Sequence, residues 1–205
     1  MADVTVTRTR IEKIRRRDLI EAAYQTFLEH GFKGMTVVRI GERAGMSHGI
    51  VNYYFKSKDE LVSAVVRKAN FLIMQDTALR LRAAKSPRER VSAVIAGNFA
   101  ADLFTREIAR AWVSYYAALG RQGDMDRMQR VVDARLSSNL MHALTQLVDR
   151  TRARRVADYI AVLIDGYWLR HAKSDDAVDA AAAIRQIEEF VESQLSASKR
   201  EEISQ

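Results

Sequence analysis

The stretch 36–58, TVVRIGERAGMSHGIVNYYFKSK, constrains the fold of this chain more than any other. Thr36 is a good helix N-cap, and Val37, Ile40, Gly41 and Ala44 follow at i, i+3, i+4 and i+7. That spacing makes one small apolar stripe on a short helix. Gly45 stops the helix, and Ser47 can cap a second one that turns Val51, Tyr54 and Phe55 inward. Two short helices joined by a tight Gly-containing turn form a helix-turn-helix, whose second helix is shaped to enter a major groove.

The second helix presents His48, Gly49, Ile50, Asn52 and Tyr53 outward, a mixed polar and apolar set without an acid. Gly49 in a helix interior costs about 1 kcal/mol against Ala. Close approach of the backbone, to DNA phosphate or to the preceding helix, would compensate. Spacing alone also fits two amphipathic helices of an ordinary all-α core. The fuller pattern, T-x3-I-x3-AG-M-S-x-G-x-V-x-x-YF-K-S-K-x-E-L, resembles the TetR family of bacterial transcriptional repressors. Thr36, Ile40, Ala44, Gly45, Ser47, Gly49, Tyr54, Phe55, Lys58 and Leu61 stand where that pattern puts them, and Gly41 departs from its usual Ala.

The rest of the 205 residues reads as all-α. There is one Pro, and no alternating apolar run bounded by turn residues suggests a strand. With no cysteine, disulfides and thiolate chemistry are excluded. No apolar run approaches about 18 residues, and the N-terminus lacks the apolar core of a secretory signal, so a cytoplasmic location without membrane contact is expected. The formal charge of +7 is uneven: residues 1–58 hold 11 Lys or Arg against 6 Asp or Glu, while the remainder is nearly balanced. A basic head on a neutral body suggests nucleic acid at one end and another task at the other. The expected organisation is an arm and helix-turn-helix domain over 1–58 and a ligand-binding and dimerisation domain over 59–205, about nine helices in all.

Along the chain, residues 1–10 are expected to be a loose arm. Arg15, Arg16 and Arg17 open the first helix, suited to phosphate or minor-groove contact or simply to solvent. Ile20, Ala23, Tyr24 and Phe27 form its buried face, and Gly31 ends it. Ser57–Glu60 and Ser86–Glu89 are capping boxes, the second with Pro87 at the first helical position. Helices are expected over 58–84, 87–104, 106–119, 124–149, 152–172 and from Asp175 or Asp176, as caps, to about 195, with a frayed tail beyond. The 152–172 helix is apolar around most of its girth, so either the monomer core or a partner buries it.

Catalysis has no support. None of the four histidines has a partner at a recognised metal spacing, and no phosphate-binding Gly loop is present. No cofactor and no metal are expected.

In the back half, RAWVSYYA at 110–117, RLSSNL at 135–140 and VLIDGYWLR at 162–170, with RRRDLIEAA at 15–23, are similar to the choline-responsive members of the family, which control glycine betaine synthesis. The resemblance implies a homodimer, joined through a bundle of its last two long helices, on a near-palindromic operator. It implies choline as effector. DNA contacts are expected from Arg15, Arg16, Arg17, Thr36, Ser47, His48, Gly49, Asn52, Tyr53, Tyr54 and Lys58. Trp112, Tyr115 and Tyr116 share one helix face, and Asp165 and Trp168 share another. Ring faces with a carboxylate can hold a quaternary ammonium, although rings at helical spacing equally suit a core or a dimer interface. Two other functions stay open: a regulator answering to another cationic or apolar molecule, and an architectural DNA-binding protein without a ligand.

Overall fold

The computed structural model describes residues 2–120, 123–176 and 178–203, with side chains over 10–120, 123, 125–176 and 178–196. Among these residues there are nine helices and no strand: α1 Ala2–Gly34, α2 Val37–Ala44, α3 His48–Tyr54, α4 Lys58–Ala83, α5 Pro87–Gly97, α6 Arg106–Tyr116, α7 Gly123–Leu144, α8 Arg150–Lys173 and α9 Ala180–Ile203. The chain divides into two compact units, residues 1–69 with 110–128 and residues 70–109 with 129–205. Helices α4, α6 and α7 contribute residues to both.

In the first unit the helix-turn-helix packs against α1. Leu19, Ala23 and Phe27 of α1, Ile40 of α2, Val51 of α3 and Phe55 after it are all buried, with Leu61, Val62 and Val65 of α4. Each of the Leu, Ile, Val and Phe side chains among them is worth about 1.5–3 kcal/mol when fully withdrawn from water. Phe27 also meets Trp112 edge-on at 6.3 Å. Gly31 interrupts α1 at φ 63°, a left-handed backbone that side chains resist, and there the Phe32 amide donates to Ser114 Oγ at 2.8 Å. The N-terminal end corrects the expectation of a loose arm: the backbone is helical from Ala2. No Gly or Pro lies between residues 2 and 30, so nothing in the chain stops the helix from extending backwards.

In the second unit α8 and α9 pack together and α9 also meets α5. Ile160, Ile164 and Trp168 of α8, Ala183, Ile187 and Val191 of α9, and Val91, Val94 and Ile95 of α5 form this core. Arg88 ties α5 to α9, donating from Nε to Glu192 at 2.7 Å and from its other arm to Glu188. Both capping boxes form. Glu60 N–H donates to Ser57 Oγ at 3.1 Å and Glu89 N–H to Ser86 Oγ at 3.1 Å, while the two glutamates accept from the Lys56 and Lys85 amides.

Several boundaries differ from expectation. Helix α5 ends at Gly97, not near 104, and residues 98–105 turn instead. A Cβ at Gly97 would lie 2.2 Å from Thr77 Oγ1 and 2.8 Å from Thr77 Cα, so the glycine is what lets this point of α5 approach α4. Gly97→Ala is expected to cost about 2 kcal/mol through overpacking, a fall in Tm of roughly 4–8 °C, measurable by thermal melting. Helix α7 stops at Leu144, and Asp149, expected as its last residue, instead caps α8 by accepting from Thr151 and Arg152 N–H. Asp179 rather than Asp175 or Asp176 caps α9, because its carboxylate reaches the Ala181 and Ala182 amides. The expected frayed tail is helical through Ile203; residues 204–205 lie outside the described residues.

Candidate nucleic-acid interface and effector site

Helix α2 is capped as its sequence requires: Thr36 Oγ1 accepts from Arg39 N–H at 3.3 Å, and Gly45 closes the other end in the left-handed conformation. The turn then folds back on itself, Met46 N–H donating to Gly41 O at 2.9 Å. A Cβ at Gly41 would sit 2.7 Å from Met46 O, so the Ala usual in the family pattern fits only if this turn opens. Ser47 Oγ accepts from Ile50 N–H at 3.4 Å and caps α3.

With Val51 and Phe55 buried, the opposite face of α3 is fixed: Ser47, His48, Gly49, Asn52 and Tyr53 are exposed, and Tyr54 is half-buried against Tyr53. A Cβ at Gly49 would meet only Ser47 Oγ, at 3.9 Å, so no neighbouring helix crowds it and any close approach must come from outside the chain. Asn52 Nδ2 lies 3.3 Å from His48 Nε2.

Around this face the cations divide. Arg16 is engaged within the head, 3.5 Å from Glu60 and 4.7 Å over the Phe55 ring. Arg15 and Arg17 are exposed, Arg17 with Asp18 at 3.5 Å. Lys58 opens α4 with its ammonium 4.6 Å over Phe32. Lys13, Arg16 and Lys56 line an open groove with Glu12, Tyr53 and Tyr54. Sequence reading passed over Lys13 and Lys56; only their place beside α3 marks them.

The five effector candidates fall into both units. In the first, Trp112, Tyr115 and Tyr116 touch one another, Trp112 stacking on Tyr116 at 5.8 Å and meeting Tyr115 edge-on at 5.4 Å. Tyr115 is fully buried and donates to Met125 O, whereas Tyr116 is exposed. In the second, Trp168 donates to Asn98 O at 3.1 Å within a ring cluster that sequence reading did not foresee. Phe104 meets Trp168 at 5.1 Å, stacks on His171 at 4.3 Å and meets Phe99 at 5.0 Å. Both Phe99 and Phe104 lie beyond the end of α5, in the segment expected to continue that helix. His171 Nδ1 accepts from Val178 N–H, and burial, then the charge of Arg106, holds its pKa below the usual value. Asp165 is pushed up to about 6, by loss of hydration first and then by the like charge of Asp133. Asp165 is exposed in its own chain, so the repulsion from Asp133 is the firmer of these two causes.

The surface of α8 has two faces. Val156, Ile160, Ile164 and Trp168 are buried in their own unit, while Tyr159, Val162, Gly166 and Leu169 recur at i, i+3, i+7 and i+10 on the outside. Val162 is 67% exposed, and a Cβ at Gly166 would meet nothing.

Residues 87–196 match the model of the BetI-type transcriptional repressor C-terminal domain, and residues 19–65 match that of bacterial regulatory proteins of the tetR family. The chain belongs to the TetR family. It is 39% identical over 186 residues to the HTH-type transcriptional regulator BetI of Brucella abortus, covering 91% of this chain and 94% of the relative. Among solved structures, a transcriptional regulator from Pseudomonas aeruginosa PAO1 shares the fold with a TM-score of 0.80 at 24% identity, over 92% of this chain and 94% of the other. A regulator from Saccharomonospora viridis in complex with choline superposes with a TM-score of 0.72 at 17% identity, over 86% and 95%. This TetR-family chain is therefore a transcriptional repressor with a BetI-type C-terminal domain, not an enzyme. Among the described residues no helix is long and apolar enough to cross a membrane, and no three His, Cys, Asp or Glu gather as metal ligands.

The DNA contacts expected of Lys58 at the start of α4 and of Asn52 on α3 differ in what their loss should do. Lys58→Ala, removing a cation at a helix N-terminus, should weaken cognate and scrambled DNA alike and reduce the slope of log K against log salt by about 0.9. Asn52→Ala should cost about 1–3 kcal/mol at one base position only. Binding isotherms on both DNAs at several salt concentrations separate the two, and an equal loss from Asn52→Ala on both would remove Asn52 from base reading.

Proposed function

We propose that this repressor is a cytoplasmic homodimer that holds a near-palindromic operator and releases it when choline binds, controlling genes of glycine betaine synthesis. The observation that carries the choline reading is the BetI-type match through residues 87–196. The solved neighbour that holds choline adds support, since it shares the fold.

The chain supplies suitable groups. A quaternary ammonium offers no strong hydrogen-bond donor, so it is recognised by ring faces and a compensating carboxylate. Two candidate sets stand in separate units: in the first, Tyr116 is the exposed member of Trp112, Tyr115 and Tyr116, and in the second Asp165, whose repulsion from Asp133 a cation would relieve, stands one helical turn from Trp168. Trp168 and Tyr115 already have hydrogen-bond partners and can contribute ring faces alone.

The DNA-facing set comprises Ser47, His48, Asn52 and Tyr53 for bases, Gly49 for close approach of the backbone to phosphate, Thr36, Tyr54 and Lys58 for phosphate, and Arg15, Arg16 and Arg17 for phosphate or the minor groove. Ser47 and Thr36 reach DNA while serving as caps. In the dimer the two heads meet successive major grooves, about 34–36 Å apart. The outward stripe of α8 is the surface for the second copy: apolar at helical spacing, with Gly166 at its middle to admit a close neighbour.

The test is tryptophan fluorescence of the full chain titrated with choline, glycine betaine and an aromatic dye cation. Saturable binding of choline in preference to the dye supports this reading. Preference for the dye, with no response to millimolar choline, would instead support a multidrug-type regulator.

A further inference from the structure

The contact between His48 and Asn52 on the outer face of α3 joins two nitrogens, 3.3 Å apart. An amide nitrogen has hydrogens to give and no lone pair to offer, so Asn52 Nδ2 donates and His48 Nε2 accepts. In this placement Nε2 is the ring nitrogen that offers its lone pair. The amide has one other self-consistent placement, turned over so that Oδ1 faces a protonated Nε2. The two placements present different groups to a groove. With Nδ2 toward His48, Asn52 points Oδ1 and one N–H outward, the acceptor–donor pair that matches adenine N6 and N7. With Oδ1 toward His48, it points two N–H groups outward, which match the acceptors N7 and O6 of guanine.

We propose that His48 is a positioning residue that sets the base preference of Asn52: by accepting from the Asn52 amide it holds Asn52 in the adenine-reading orientation. The inference rests on the reading of α3 as the base-reading helix and adds to it which base Asn52 selects and why. Both side chains are exposed and neither contributes to the Val51–Phe55 core, so they can be exchanged without disturbing the fold. The i, i+4 spacing keeps them adjacent whatever occupies the first position.

The experiment is selection from randomised operator DNA by the full chain, with His48→Glu, His48→Lys and His48→Ala in the wild-type and Asn52→Ala backgrounds and a thermal melt of each variant. Glu at position 48 can only accept, and Lys can only donate. At one position in each half-site, wild type and His48→Glu should select adenine and His48→Lys should shift to guanine by about tenfold. His48→Ala should weaken the adenine preference severalfold. Every one of these differences should vanish with Asn52→Ala. Glu lowers affinity for all DNA through its charge, but the ratio between bases is unaffected by that. An unchanged preference between the Glu and Lys variants, or a difference that persists without Asn52, would overturn the coupling while leaving α3 as reader. If wild type selects no sequence at all, the reading of α3 itself fails, and the coupling with it.

Discussion

Val162→Glu should split the proposed dimer and abolish tight operator binding while leaving the monomer folded. Val162 is 67% exposed in its own chain, so a glutamate there is solvated in the monomer and costs nothing to its core. In a two-fold interface the same substitution appears twice, and each charge loses its water. An unpaired buried charge costs several kcal/mol, so dimer affinity should fall by about a hundredfold or more. Operator affinity falls with it, because each half-site is then held by a single head. Gly166→Leu is the steric counterpart: a side chain has open space in the monomer yet would pry apart a partner helix. Ile160, by contrast, is fully buried in its own unit, and a charge there would unfold the chain and say nothing about assembly. Sedimentation and operator titration on the two variants check the prediction. A dimer with intact operator binding in both would place the interface elsewhere.

The second large effect is a pH dependence at Asp165. Its folded pKa of about 6 lies above the ordinary 3.8, so between these values the folded chain holds a proton that the unfolded chain has lost. The stability tied to that proton is complete below about 3.8 and disappears as pH rises through about 6. Asp165→Asn should therefore melt higher than wild type at pH 7.5 and lose that advantage by pH 4. If Asp165 faces choline, the cation needs the ionised form. Apparent choline affinity should then be constant above about pH 6.5 and fall about tenfold per pH unit below about 6. The same Asn variant should bind choline weakly at every pH. Stability and affinity would thus move in opposite directions at one carboxylate, as expected where repulsion is retained for a ligand. Affinity independent of pH and unaffected by Asp165→Asn would exclude Asp165 from the site.

What the chain reveals by inspection follows how local each cause is. Thr36, Gly45, Ser47, Ser57 and Ser86 act within four residues of themselves, and the caps and turns they form were all legible. The outward face of α3 was equally legible, because Val51 and Phe55 fix the inward one. The end of α5 was not, since it depends on Gly97 meeting Thr77 on another helix, and the ring cluster of Phe99 and Phe104 follows from that ending. Asp175 and Asp176 were plausible caps for α9 by composition; backbone geometry gives that place to Asp179 instead. The effector residues were the least legible. Trp112, Tyr115 and Trp168 have the same helical spacing whether they pack a core or line a site, and in each unit most of their ring surface is buried.

The central claim, that choline takes this repressor off its operator, is tested most directly by titrating choline against wild-type protein bound to a fluorescent operator while measuring choline affinity for free and DNA-bound protein. Linkage requires the two effects to be equal: choline should lower operator affinity by the same factor by which operator lowers choline affinity, and a factor of about 5–150 is expected. Equal choline affinity for both forms, with the operator still held at saturating choline, would contradict the claim.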